Sequence, residues 1–163
     1  MKNTIEFISW FVGLVFFQVL LFNNIQIAHV INPFLYVYFI IALPIHMNRM
    51  SLIMTGFVLG LLIDVFSNTW GIHAMATTMI AFLRPYILRL VSTQEEQDRI
   101  MPRFRTMGVN YLKYIVLIVF VHHLMLFWLE AFSMVYFWMV LLKALVSSLI
   151  TLVLVLTLEK IRK

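Results

Sequence analysis

Cysteine is missing from the sequence altogether, which removes disulfides, thiolate metal sites and a cysteine nucleophile from consideration. Charge is scarce as well. Asp, Glu, Lys and Arg together make up 12% of residues, against about a quarter in an ordinary soluble domain. Gly/Ser linkers, low-complexity tracts and internal repeats are also lacking, so residues 1–163 read as a single domain. No Gly-rich phosphate loop, G-x-S-x-G elbow or H-E-x-x-H pair occurs. The chain therefore reads as non-enzymatic, with no cofactor and no metal site. His122 and His123 are adjacent, point to different faces of a helix and read as packed side chains rather than paired ligands.

What the chain has instead is apolar bulk: 63% of its residues are hydrophobic. Its solvent is expected to be lipid. In lipid every backbone group needs an internal partner, which leaves helices or closed barrels, and the continuous apolar runs lack the strict alternation of barrel strands. The expectation is an all-α polytopic membrane protein, a six-helix transmembrane bundle. The predicted spans are 5–22, 34–47, 51–69, 71–90, 111–129 and 134–158. The first is read as a retained span rather than a signal peptide, because no small-x-small site follows before Asn23. In the second, Pro33 suits a helix start but Pro44 leaves only a short uninterrupted segment, which crosses the hydrocarbon only by continuing through a kink to Met47. Pro85 predicts a kink near the end of the fourth.

Basic residues sit in alternate gaps. Lys2, Arg49, the group Arg89, Arg99, Arg103, Arg105 and Lys113, and the tail Lys160, Arg162 and Lys163 fall on one side, whereas the other gaps hold only Glu130. Short basic loops stay in the cytoplasm, so both termini are predicted inside. The net charge of +5 is thus topogenic; it forms no continuous basic surface, and nucleic acid is not an expected partner. In the long basic gap, Thr93 and Glu96 form a capping-box pattern. Ile100, Met101, Phe104 and Met107 recur at helical spacing among Arg99, Arg103 and Arg105, although Pro102 interrupts the face; the stretch reads first as a solvated loop, and otherwise Arg99, Arg103, Phe104 and Arg105 form a surface for membrane lipid or a cytoplasmic partner.

Within the spans, Gly56 and Gly60 lie four apart, the spacing that lets helices approach closely, and Gly71, Ala74 and Thr78 offer a compatible narrow side on the next span. A tight hairpin across Ser67–Trp70 is expected. Lys143, Ser147 and Thr151 lie four apart and give the sixth span a polar inward face; Asp64 and Glu130 approach the depth of Lys143, and a Lys143 cluster with Asp64, Glu130 or both is expected, because a lone charge in the bilayer is costly.

The run Gly56-Phe-Val-Leu-Gly60-Leu-Leu-Ile-Asp64-Val-Phe-Ser-Asn68-Thr-Trp-Gly71 resembles the signature of the MreD family, bacterial rod shape-determining membrane proteins, and Pro33 to Pro44 resembles that family's second span. Asn68 stands where many relatives have Gly. The resemblance implies a location in the bacterial cytoplasmic membrane and a non-enzymatic scaffold role in lateral peptidoglycan synthesis. It also implies MreC, MreB, RodA and a penicillin-binding transpeptidase as partners, and an architecture similar to the S components of energy-coupling transporters. The alternative is a substrate-binding subunit of a vitamin-type transporter, with Asp64, Asn68, Glu130, Lys143 and Ser147 as its pocket.

Overall fold

The computed structural model describes residues 4–21 and 32–162, and every regular element among them is helical. Lys2, Lys163 and most of the first uncharged gap lie outside the described residues. The helices are α1 (Thr4–Leu20), α2 (Val37–Ala42), α3 (Arg49–Ser67), α4 (Ile72–Val91), α5 (Gln94–Gln97), α6 (Phe104–Met107), α7 (Val109–Ala131) and α8 (Phe137–Ile161), with one 3-10 turn at Met134–Tyr136. Four of these, α3, α4, α7 and α8, are long and apolar enough to cross a membrane. They contain 19, 20, 23 and 25 residues, and at ~1.5 Å per residue each approaches or exceeds the ~30 Å hydrocarbon core. These helices mark the chain as a membrane protein. The apolar α1 is shorter, at 17 residues.

Local chemistry sets the helix ends. The Asn48 side chain accepts from the Met50 N–H at 2.9 Å and opens α3. At its other end Asn68 adopts the left-handed conformation, φ 54° and ψ 40°. Glycine tolerates that geometry best and asparagine next, so Asn68 closes the helix at the position where a glycine would otherwise be expected. Gly71, φ 84°, completes the turn into α4. The Thr93 hydroxyl and Glu96 carboxylate form a full capping box at α5, and the Thr93 backbone N–H holds the Glu96 carboxyl below its ordinary range. α4 continues past Pro85 to Val91 as one helix.

The long helices pack in the order α3, α4, α7, α8, and α1 lies against α3. Contact between α3 and α4 is the most extensive. A Cβ added at Gly56 would stand 2.8 Å from the Ala81 Cβ and 2.9 Å from the Thr77 carbonyl, and one at Gly60 would overlap Thr77, His73 and Ala74. The two backbones touch through the missing side chains. At the basic end of this hairpin the Arg49 guanidinium lies over the Phe82 ring at 4.7 Å and donates to the Tyr86 hydroxyl.

The stretch 34–47 departs from its expected form. Instead of a membrane-crossing helix it contains only α2, six residues and ~9 Å long, and the whole run Phe34–Leu43 is buried. Pro33 and Pro44 bracket it, and α1, α4 and α7 enclose it. It begins beside Gln18 in the last turn of α1 and ends where the Ile45 N–H bonds the Ile100 carbonyl at 2.9 Å, at the basic end. The chain thus returns through the interior of the bundle, partly as extended backbone. Such backbone is tolerated at membrane depth only where protein surrounds it.

Candidate functional site

An interrupted helix buried in an apolar bundle exposes N–H and C=O groups that its own turns leave unmatched. Here side chains from four other helices meet them. At the leading end, the Gln18 Oε1 accepts from the Leu35 N–H at 2.8 Å while its Nε2 donates to the Pro33 carbonyl at 3.1 Å. From α8, Ser147 accepts the Asn32 N–H at 3.1 Å and Thr151 accepts the Phe34 N–H at 3.2 Å. His123 holds Thr151 in place. Its Nδ1 lies 2.8 Å from the Val119 carbonyl, which can only accept, so Nδ1 carries the proton and Nε2 receives the Thr151 hydroxyl at 3.1 Å.

At the trailing end the acceptors are carbonyls, the negative pole of a helix. Arg84, fully buried on α4, donates from Nη1 to the Pro44 carbonyl at 3.2 Å, from Nη2 to the Leu43 carbonyl and from Nε to the Tyr114 hydroxyl at 2.8 Å. Tyr114 passes its own proton to the Ile41 carbonyl at 3.2 Å. Arg162 donates to the Ala42 carbonyl at 3.2 Å. The groups that receive Arg84 are all neutral, so its charge is set against carbonyl dipoles rather than an acid.

Between these ends the Tyr36 hydroxyl lies 2.8 Å from His73 Nδ1 and 3.0 Å from His122 Nε2. A phenol has one proton, so it donates to one imidazole and accepts from the other. His122 Nδ1 has no partner among the described residues. Leaving a bare nitrogen there costs less than burying an unmatched N–H, which assigns the His122 proton to Nε2 and directs the Tyr36 proton to His73. Phe34 packs edge-on to His73, with ring centroids 5.3 Å apart. The Tyr36 hydroxyl thus joins two imidazoles, from α4 and α7, in the middle of the buried segment. No group of three or more His, Asp or Glu able to hold a metal occurs among the described residues.

The residues singled out from sequence are placed differently from one another. Asp64 is buried, but its carboxylate accepts the His73 and Ala74 N–H groups at 3.1 and 2.8 Å and the Thr69 hydroxyl. It caps α4. Lys143 is half-buried with no hydrogen bond among the described residues, and Glu130 is exposed at the end of α7. The expected Lys143 cluster with Asp64 or Glu130 is therefore not formed. The open N–H groups of the first α4 turn lie within one hairpin of Asp64 and take its charge first. Ser147 belongs instead to the backbone cage. Gly56, Gly60 and Ala74 meet at the α3–α4 contact, but Thr77 rather than Thr78 fills it, and the space around Gly71 is open. Gly71 serves backbone conformation. Arg103, Phe104 and Arg105 share a cavity with the end of α8, and Arg99 lies outside it.

Gln18, Tyr36, His73, Arg84 and Tyr114 carry the cage and were not singled out from sequence; Thr151 belongs to the expected polar face of the last span, and Arg162 was expected only as a topogenic charge. One signal was present for Arg84 and Gln18: each is a strongly polar residue inside an apolar run, the ordinary mark of an internal bonding role. Gln18→Leu removes partners from both Leu35 and Pro33, and the expected result is a loss of about 1–3 kcal/mol, seen as a lower unfolding midpoint in detergent. Comparison with family models, with curated proteins and with solved structures gives no match.

Proposed function

We propose that this chain is a non-enzymatic intramembrane scaffold of the MreD type, part of the bacterial machinery that controls cell shape and lateral wall synthesis. In this reading it sits in the cytoplasmic membrane, crosses it six times with the buried α2 segment as the second passage, and keeps both termini and its basic end inside. Its principal partner is a single-span protein of the MreC type, with MreB, RodA and a penicillin-binding transpeptidase in the same assembly.

The observation that carries this reading is how the interior polar groups are used. Gln18, Asp64, Thr151 and Arg84 direct their hydrogen bonds at the chain's own backbone. Such an interior stabilises a fixed shape. Among the described residues the connections at the end opposite the basic one, Asn68–Gly71 and 132–136, are short, and in this reading wall chemistry falls to partners. The small residues of α3 are covered by α4 and α2 is enclosed, so neither supplies the docking groove. A groove of about 510 Å³ between α1 and the far end of α8 takes that role, lined by Trp10, Gly13, Leu14, Phe17 and Leu158. Its walls are apolar, which suits the span of a partner. The transporter-subunit alternative draws on His122 Nδ1 and Ser148 Oγ, buried without partners among the described residues. With Asn32 Oδ1 these are three isolated buried atoms, a weaker basis than the many interior hydrogen bonds that end on the chain's own backbone.

Gly13 supplies the test. Nothing lies within 4 Å of a Cβ added there and Gly13 lines the groove, so Gly13→Trp is the substitution chosen to block it. The expected result is wild-type abundance in the membrane, loss of crosslinking to the single-span partner, and rounded cells. Unchanged shape on depletion, with lost uptake of a vitamin, would reverse the assignment in favour of the transporter.

A further inference from the structure

At the basic end the last turn of α8 and the residues leading into α6 enclose a cavity of about 720 Å³. Four cationic side chains line it: Arg103, Arg105, Lys160 and Arg162. Its one carboxylate, Glu159, is already engaged. Glu159 Oε2 accepts the Tyr38 and Tyr111 hydroxyls at 2.8 and 3.0 Å, and Oε1 accepts the Phe104 N–H at 3.4 Å. Arg162 is likewise engaged, with the Ala42 carbonyl. The side chains of Arg103, Arg105 and Lys160 have no hydrogen-bond or ion-pair partner among the described residues. Three uncompensated cations thus converge on one concave site.

The remainder of the lining is apolar. Leu112 of α7 and Leu156 of α8 form the wall, and beyond them Val116, Val153 and Leu149 are exposed along the same helices. A cationic chamber that opens onto a greasy helix surface matches the two parts of one molecule, an anionic headgroup and its acyl chains. A free anion would use only the first part.

We infer that this cavity is a binding site for an acidic glycerophospholipid, its phosphodiester held by Arg103, Arg105 and Lys160 and its chains laid along Leu112 and Leu156. The guanidinium groups give paired N–H donors to phosphate oxygens, and Lys160 adds a mobile charge. Bound there, the lipid ties the connection before α7 to the end of α8. The inference does not depend on the identity of any protein partner.

The test uses the full chain in detergent, offered equal amounts of phosphatidylglycerol and phosphatidylcholine, with retained lipid read by native mass spectrometry. The wild type is expected to keep phosphatidylglycerol, and R103Q/R105Q/K160Q to lose about tenfold or more of that preference, because each basic residue near an anionic headgroup contributes measurably. R105Q alone is expected to lose part of it. R89Q/R99Q/K113Q removes the same charge from exposed positions outside the cavity and is expected to keep the preference. Equal retention of both lipids by the wild type overturns the inference, as does an equal loss in the two triple variants. Displacement of the lipid by millimolar inorganic phosphate would make the site one for a soluble anion and would also overturn it.

Discussion

Replacing Arg84 with Met is expected to unfold the core at the basic end. The substitution keeps apolar volume but leaves the Leu43 carbonyl without its donor, the Pro44 carbonyl with only the Met47 N–H at 3.4 Å, and the Tyr114 hydroxyl with only its bond to the Ile41 carbonyl. A buried group left unmatched costs about 1–3 kcal/mol, and with the bonding at Pro44 and Tyr114 weakened as well the loss is a large share of the stability of a domain this size. No carboxylate is left behind to be neutralised, so the loss should be nearly constant across pH. Arg84→Lys retains the charge but not the planar fork that reaches two carbonyls and a phenol at once, and is expected to recover only part. Unfolding midpoints of the three proteins in detergent, with protease cleavage near Pro44 as a local readout, give the measurement. A midpoint for the Met variant within a degree or two of the wild type would show that the arginine is dispensable.

Gly60→Ala is the second large effect. One methyl group at Gly60 would lie 2.5 Å from the Ala74 Cα, and it would also overlap the His73 carbonyl and the Thr77 hydroxyl. Two of these three are backbone and cannot rotate away, so α3 and α4 must separate along their length. Overpacking usually costs about 1–3 kcal/mol, and the rigid neighbours put this case at the upper end or beyond. Separation would also pull the His73 and Ala74 N–H groups from Asp64. Gly13→Ala is the internal control: it adds the same methyl where nothing lies within 4 Å, and replacing glycine within a helix gains about 0.5–1 kcal/mol. Opposite signs at the two glycines would establish that proximity, not helix propensity, governs Gly60.

The α3–α4 hairpin was legible because its determinants are close in sequence. Gly56, Gly60 and the short turn lie in one run, as do the Thr93 and Glu96 that cap α5. The choice of Thr78 over Thr77 went astray by one residue, which is a third of a turn on a helix and enough to change the face. The Lys143 cluster failed for a related reason. Residue counting gives depth along a span but not direction around it, and Asp64 had nearer partners. The second segment was the least legible. Hydropathy treats 34–47 as one apolar run, and the feature that decides its form lies elsewhere: Gln18 comes before Leu35 by 17 residues and Thr151 after Phe34 by 117. Tyr36 to Leu43 were read as part of a membrane-crossing span; that protein rather than lipid covers them could not be read from spacing. No local pattern announces that three polar side chains from the two ends of the chain converge on one stretch of backbone.

That convergence imposes an order on biogenesis. As the polypeptide leaves the ribosome, Asn32 to Pro44 emerges long before Ser147 and Thr151 exist to receive the Asn32 and Phe34 amides. The nascent stretch has to wait at the membrane, shielded by water, lipid headgroups or the insertion machinery, until the final helix arrives more than a hundred residues later. A translation product that stops short of α8 therefore holds an unfinished centre, whatever the quality of its earlier helices. Quality-control proteases that recognise unsettled transmembrane segments would have their target there.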